Sequence, residues 1–217
     1  VGWGKPHYQW LGADLGSAIS LSSSRLHAGL RGVLPGVSLR MGARYESATA
    51  QNLLPAQEEY EREELETEKT PPSRYLSVES ELSASVPFPG GSLIGVVSGF
   101  ALMGELESFY VFEENLKVVV APPWLWRARL GYLAHVGREE SMKLGGAVEV
   151  LHVPNRDALL VRAGPLLSAE LTHHLEVIGA MMLVVASPDH LGVVGADLGQ
   201  LGLRYRWASE DRWGEFP

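Results

Sequence analysis

Residues 37–46, VSLRMGARYE, alternate almost without fault. Val37, Leu39, Met41, Ala43 and Tyr45 are apolar, and Ser38, Arg40, Gly42, Arg44 and Glu46 between them are small, polar or charged. A period of two puts these sets on opposite faces of a β-strand. Residues 25–31 repeat the pattern, with Leu26, Ala28 and Leu30 set against Arg25, His27, Gly29 and Arg31, and Pro35-Gly36 supplies the turn between them. The reading is a hairpin over 25–46 with one wholly apolar face and one charged face. Two kinds of protein use such a sheet: a soluble sheet with one face in water, and a membrane barrel with lipid outside and a polar interior.

The same phase recurs along most of the chain. Residues 8–20 set Leu11, Ala13, Leu15 and Ile19 against Gly12, Asp14, Gly16 and Ala18. Residues 75–86 set Leu76, Val78, Leu82, Ala84 and Val86 against Ser77, Glu79, Glu81, Ser83 and Ser85. Further strands are expected at 92–103, 124–136, 142–153, 159–171 and 175–185, and a tenth ends in Leu201-Gly202-Leu203-Arg204-Tyr205-Arg206-Trp207. The phase of this last strand slips near Gly199, which reads as a bulge. Residues 105–123 read as a long loop, with Val118–Val120 as a possible extra strand pair that would raise the count to twelve. Residues 82–104 carry no charge over a length that would suit a membrane helix, but Pro87, Pro89, Gly90 and Gly91 divide them into strand, turn and strand.

With ten antiparallel strands and both termini at one end, the connections sort by length. Those at the terminal end (35–36, 87–91, 137–141 and 172–174) are all short, whereas the far end carries 21–24, 47–74, 105–123, 154–157 and 187–192, including both long loops. Short turns on one rim and long loops on the other are the asymmetry of an outer-membrane barrel. Aromatic residues gather near both rims: Trp3, Tyr8, Trp10, Phe88, Tyr205 and Trp207 at the terminal end, and Tyr45, Tyr75, Tyr110, Trp124 and Trp126 at the far end. Rings with a polar handle favour the two membrane interfaces.

Composition narrows the function. Apolar residues make up 46% and charged residues 20%, with 24 glycines, a mixture that suits strands and turns better than helices. A formal net charge of −8 opposes a nucleic-acid partner, and the absence of cysteine excludes disulfides, thiolate catalysis and cysteine-bound metals.

On strand spacing, apolar-face alternation and the closing Tyr205-Arg206-Trp207, the chain resembles the bacterial outer-membrane β-barrel class, although it continues through residues 208–217 beyond that motif. The fold expected is all-β: a single antiparallel up-and-down transmembrane barrel of about 10 strands, occupying 1–217 as one domain. The resemblance implies short periplasmic turns, an extracellular loop at 47–74, a short C-terminal tail at 208–217 and an export signal already removed. It also implies residence in the outer membrane, contact with its lipid and lipopolysaccharide, and envelope-protein partners met through the loops or the periplasmic rim.

The inward set then comprises Asp14, Arg25, His27, Arg31, Arg40, Arg44, Glu46, Glu79, Glu81, Arg127, Arg129, Lys143, Glu149, Arg162, Glu170 and Arg204. Both signs occur on neighbouring strands, and buried charges must be paired. The favoured reading is a structural Arg/Glu network that closes the lumen, with a narrow solute or ion channel as the alternative. The acidic run Glu58, Glu59, Glu61, Glu63, Glu64, Glu66 and Glu68 reads as a solvated loop able to dock a basic partner, and it lacks the spacing of a calcium loop. His152 with Asp157 and Asp189 with His190 lie at the loop rim, where a hydrolase of this class would place acid and base groups. No G-x-S-x-G motif, zinc-ligand spacing, phosphate loop or dinucleotide fingerprint accompanies them, so an enzyme is the third reading, and no cofactor or metal is expected.

Overall fold

The computed structural model describes residues 2–5, 9–19, 23–48, 53–67, 73–104, 109–137, 142–172, 175–192 and 198–205. Its strands are β1 (Gly2–Lys5), β2 (Gln9–Ile19), β3 (Ser23–Leu34), β4 (Val37–Ala48), β5 (Leu53–Pro55), β6 (Arg74–Phe88), β7 (Gly91–Gly104), β8 (Phe109–Glu113), β9 (Val118–Val120), β10 (Trp124–Val136), β11 (Met142–Val153), β12 (Ala158–Thr172), β13 (Leu175–Ala186) and β14 (Leu198–Tyr205). Among the described residues one α-helix, α1 (Arg62–Thr67), lies between β5 and β6, and a short 3-10 turn covers Pro154–Arg156. Eleven strands form one antiparallel up-and-down sheet in the order β1-β2-β3-β4-β6-β7-β10-β11-β12-β13-β14. The protein is all-β, and no helix among the described residues is long and apolar enough to cross a membrane.

The ten long strands of this sheet fall where the alternation places them. The opening hairpin pairs in full register, Arg25 opposite Glu46, His27 opposite Arg44 and Arg31 opposite Arg40, and Gly36 closes it at φ 74°, a conformation open to glycine without steric cost.

Four expectations are corrected. First, Gly2–Lys5 adds an eleventh strand beside Gln9–Gly12. Second, the sheet is not closed into a barrel: among the described residues β1 and β14 each have a single neighbour. Third, residues 109–123 are not a long loop: Val118–Val120 belongs to the extra strand pair given as the alternative, and that pair stands outside the large sheet. β8 and β9 form a hairpin that joins β5 in a second, three-stranded sheet. Fourth, β14 pairs with β13 without interruption through Gly199, and the register shifts lie instead on β12 against β13, at 161–162 and 170–172.

The large sheet is strongly curled with its polar face inward. Arg25 on β3 and Arg162 on β12 sit in distant parts of the strand order, yet both reach the 114–117 turn of the β8–β9 hairpin. Close backbone approach between strands accompanies the curl. A Cβ at Gly145 or Gly164 would stand 1.8 Å from the carbonyl oxygen of Tyr132 or Met181, so neither position tolerates a side chain without backbone movement.

Packing is inverted relative to an ordinary soluble sheet. On β4 the apolar residues Leu39, Met41 and Tyr45 are 47%, 54% and 45% exposed, while the charged residues Arg44 and Glu46 between them are only 8% and 1% exposed. Outward-facing Leu26, Leu30, Leu82, Val97, Leu130, Val148 and Leu203 extend the exposed apolar surface across the sheet. Among the described residues the larger apolar core lies inside the curl, near the loop end. There Val111, Val118 and Val120 of the small sheet pack among Leu102, Leu125, Leu151, Val153 and Leu160 of the large one. A smaller apolar cluster of Ala147, Leu166 and Met182, backed by Ile94 and Leu133, occupies the inner face nearer the short turns.

Candidate functional site: an interior charge network

Alternation alone delivers the charged residues to one face; the curl and the hairpin then bring them into contact. One group centres on Arg44. Its Nε donates to Glu79 at 2.6 Å, and its Nη1 donates to Glu46 at 2.8 Å and to Glu113 at 3.1 Å. The Tyr75 hydroxyl also donates to Glu113, and Asn115 Nδ2 donates to it at 2.8 Å. Arg25 ties the strand to the hairpin turn through Asn115 Oδ1 and Glu114, and lies 3.5 Å from Glu46. Glu113 sits on the short hairpin, outside the long strands. Burial acts to raise its pKa, but Arg44 and the hydrogen bonds from Tyr75, Arg44 and Asn115 outweigh this and hold the carboxyl below its usual range.

A second group centres on Glu149. Its carboxylate accepts from Arg129 Nη2 at 2.6 Å and Arg162 Nη1 at 3.0 Å, with Arg127 Nε 3.9 Å away. Arg162 spends its other terminal nitrogen on the carbonyls of Leu116 and Lys117, both at 2.7 Å. Arg127 extends this second group to β6 and β7 by donating to Glu81 at 3.2 Å and to Ser98 at 3.1 Å. Both groups therefore grip the same turn, and the β8–β9 hairpin is held as a plug. Charge-assisted bonds of this kind run roughly twice the strength of neutral ones.

The expected inward residues divide as follows. Arg25, Arg44, Glu46, Glu79, Glu81, Arg127, Arg129, Glu149 and Arg162 belong to the connected network, and Asp14 pairs with Arg40 at 2.9 Å beside it. Arg31 lies opposite Arg40 at an exposed position. Lys143 stands opposite Ser168 and Glu170 opposite Glu176, away from both groups. Arg204 is opposite Glu176 in register, and its side chain falls outside the described residues. Below the plug these side chains border a cavity of about 360 Å³ lined by Arg25, His27, Arg40, Arg44, Glu79 and Arg127, among others.

Sequence reasoning missed Glu113, Asn115 and the inward role of Tyr75, which was expected among the rim aromatics. Tyr110, expected there too, packs into the small sheet against Tyr60. Trp124 and Tyr45 do lie exposed near the loop end, Trp126 meets His152 at a tilt with ring centroids 5.8 Å apart, and Phe88 meets Tyr132 edge-on at the other end.

The loops at that end are knitted together by Arg156, another residue the pattern did not single out. Its guanidinium bonds both Asp189 oxygens at 2.5 and 3.0 Å, the Val119 carbonyl at 3.1 Å and the Glu58 carbonyl at 2.8 Å, and lies over the Tyr60 ring at 4.9 Å. Asp189 also accepts from the Tyr60 backbone N–H at 3.1 Å. The carboxylate proposed to serve His190 is thus committed to Arg156 and Tyr60, while His152 is 3.6 Å from a fully exposed Asp157. Burial pushes the Tyr60 phenol up to about 12. Of the acidic run, Glu58, Glu59, Glu61 and Glu63 are exposed, and Glu64 accepts from the Glu61 N–H at 2.8 Å; Glu68 and the side chain of Glu66 fall outside the described residues. No group of three or more His, Asp or Glu able to hold a metal occurs among the described residues.

Comparison with known proteins finds no matching family model, no matching curated protein and no matching solved structure.

Proposed function

We propose that this protein is an integral β-barrel of the bacterial outer membrane, with a structural or envelope-complex role and an interior closed by its own charge network. The observation that carries the reading is the inverted burial on β4 and its neighbours: ionised side chains inside, large aliphatic side chains outside. In water such an arrangement forfeits the hydrophobic driving force across the entire outer face; against hydrocarbon it is the stable one. Two outward aromatic positions, Trp124 and Tyr132, lie about 27 Å apart along β10, which at a strand tilt of about 40° is about 21 Å of height, close to that of an outer-membrane apolar band. Closure completes the reading, because a lipid-exposed sheet edge leaves backbone groups unpaired. An even, antiparallel closure joins β14 to β2, making a ring of the ten long strands. The plug favours a closed interior over a conducting one, since the β8–β9 hairpin lies inside the curl and is bonded by Arg25, Arg44 and Arg162 from three strands.

The test is electrophoretic and spectroscopic. The purified protein should require detergent or lipid to stay in solution and should migrate as a heat-modifiable band. Its tryptophan fluorescence should be quenched by brominated lipid after reconstitution. A monodisperse species in detergent-free buffer overturns the membrane assignment. Planar bilayers containing the protein should stay electrically silent, and steady single-channel currents overturn the closed interior.

A further inference from the structure

We infer that Arg31 and Arg40 form a binding site for a phosphate-type oxyanion at the mouth of the interior cavity. The two residues are direct cross-strand partners on the polar face, Arg31 on β3 and Arg40 on β4. Like charges placed directly opposite each other destabilise a sheet, so an arginine pair at this position needs compensation. The surroundings supply little. On the far side of Arg31 the register partner is Gly12. On the far side of Arg40 it is Glu81, whose Oε2 accepts from Arg127 and Ser98 and makes no bond to Arg40. Asp14 stands 2.9 Å from Arg40 Nε as an ion pair, and the terminal amino groups of that guanidinium make no hydrogen bond among the described residues. Arg31 has no ion-pair or hydrogen-bond partner there at all.

The adjoining space fits such a ligand. Arg40 lines the 360 Å³ cavity together with Arg25, His27, Arg44 and Arg127, four guanidiniums against the two carboxylates Glu79 and Glu81, while Arg31 stands beside that lining; the volume equals about ten or more waters at their liquid density. His27 contributes Nε2, a buried nitrogen with no hydrogen-bond partner. Two guanidinium forks with free amino groups, beside a cavity of excess positive lining, are the donor set that oxyanions take. The same chemistry is offered by free phosphate and by the headgroup of an anionic phospholipid. The inference is independent of how the sheet closes, because β2, β3, β4 and β6 are neighbours in the sheet as observed.

Calorimetric titration of the full chain in neutral detergent tests it, using inorganic phosphate and, separately, dihexanoyl phosphatidic acid. Binding of either supports the site. A markedly tighter phosphatidic acid identifies a lipid headgroup as the source, and equal affinities identify the free anion. Arg31→Gln should weaken binding at least about tenfold, the scale of one lost charge-assisted contact. In phosphate-free buffer the same variant should melt no lower than the parent, since it removes a like-charge opposition and no partnered group. Lys143→Gln, on a distant strand, should leave binding unchanged. If neither probe binds, or if Arg31→Gln binds phosphate as the parent does, the inference fails.

Discussion

Glu149 is 1% exposed and stands among three guanidinium groups, those of Arg129, Arg162 and Arg127. Removing its charge leaves these cations facing one another where water cannot screen them. Breaking a buried ion pair from one side costs about 3–5 kcal/mol, whereas a half-exposed pair contributes about 0–1 kcal/mol. Glu149→Gln should therefore destabilise the fold by the larger amount in chemical denaturation, and Arg40→Gln, whose pair with Asp14 is partly solvated, by the smaller. Equal losses would show that the interior is wetter than its burial implies. Tyr60 makes a second residue-scale prediction. Its hydroxyl donates to the Pro55 carbonyl at 2.5 Å, and burial disfavours the phenolate, so the folded pKa of about 12 exceeds the unfolded value of about 10. The neutral phenol thus stabilises the loop cap fully below pH 10, and that contribution is lost as pH rises from 10 to 12. Subtracting the ultraviolet titration of Tyr60→Phe from that of the parent should isolate one phenol ionising near pH 12; a difference curve centred near 10 would place Tyr60 in water.

Among elements, the long strands were legible and the plug was not, for one physical reason. Period-two alternation encodes a strand with unlike faces. β4 and β6 have that contrast, and their register, Arg40 opposite Glu81, follows from it. Val118, Val119 and Val120 are all buried, because β9 packs on the large sheet on one side and under the Tyr60 cap on the other, so no contrast exists to read. The available signal was local: FYVFE and VVV are two β-prone runs separated by a four-residue turn. For the charge network the residues could be named from phase, but their partners could not. Arg162 reaches carbonyls of the 116–117 turn, and a backbone acceptor leaves no mark in a side-chain pattern. The edges of the large sheet carry the element-scale prediction. A chain without native cysteine allows single pairs to be introduced freely. Combinations of Ala13, Leu15 or Ser17→Cys with Gly199, Leu201 or Leu203→Cys should yield at least one efficiently oxidised pair in reconstituted protein if β14 closes on β2, since a disulfide demands Cα atoms within about 7 Å. Failure of every combination would leave the edges apart.

For the whole molecule, the question is which side of the sheet meets the solvent that matters, and one position separates the answers. Met41 is 54% exposed on the apolar face of β4, near the middle of the strand, with Ser80 of β6 and Leu30 of β3 as its register partners. If that face stands in water, Met41→Arg is a surface substitution with an effect within about 0.5 kcal/mol. If it stands in hydrocarbon, arginine near the bilayer midplane costs about 2–4 kcal/mol. The control is Val37→Arg at the strand's end beside the Pro35-Gly36 turn, where proximity to the interface reduces that cost to about 0–1 kcal/mol. Denaturant titrations of both variants in phospholipid vesicles should therefore differ by roughly 2 kcal/mol or more, with Met41→Arg the weaker. In a neutral detergent, whose micelle deforms around a charge more readily than a bilayer, the gap should narrow. A depth-dependent penalty present in vesicles and reduced in micelles is a signature no water-facing sheet produces; two variants equally stable in vesicles would turn the apolar face back toward water.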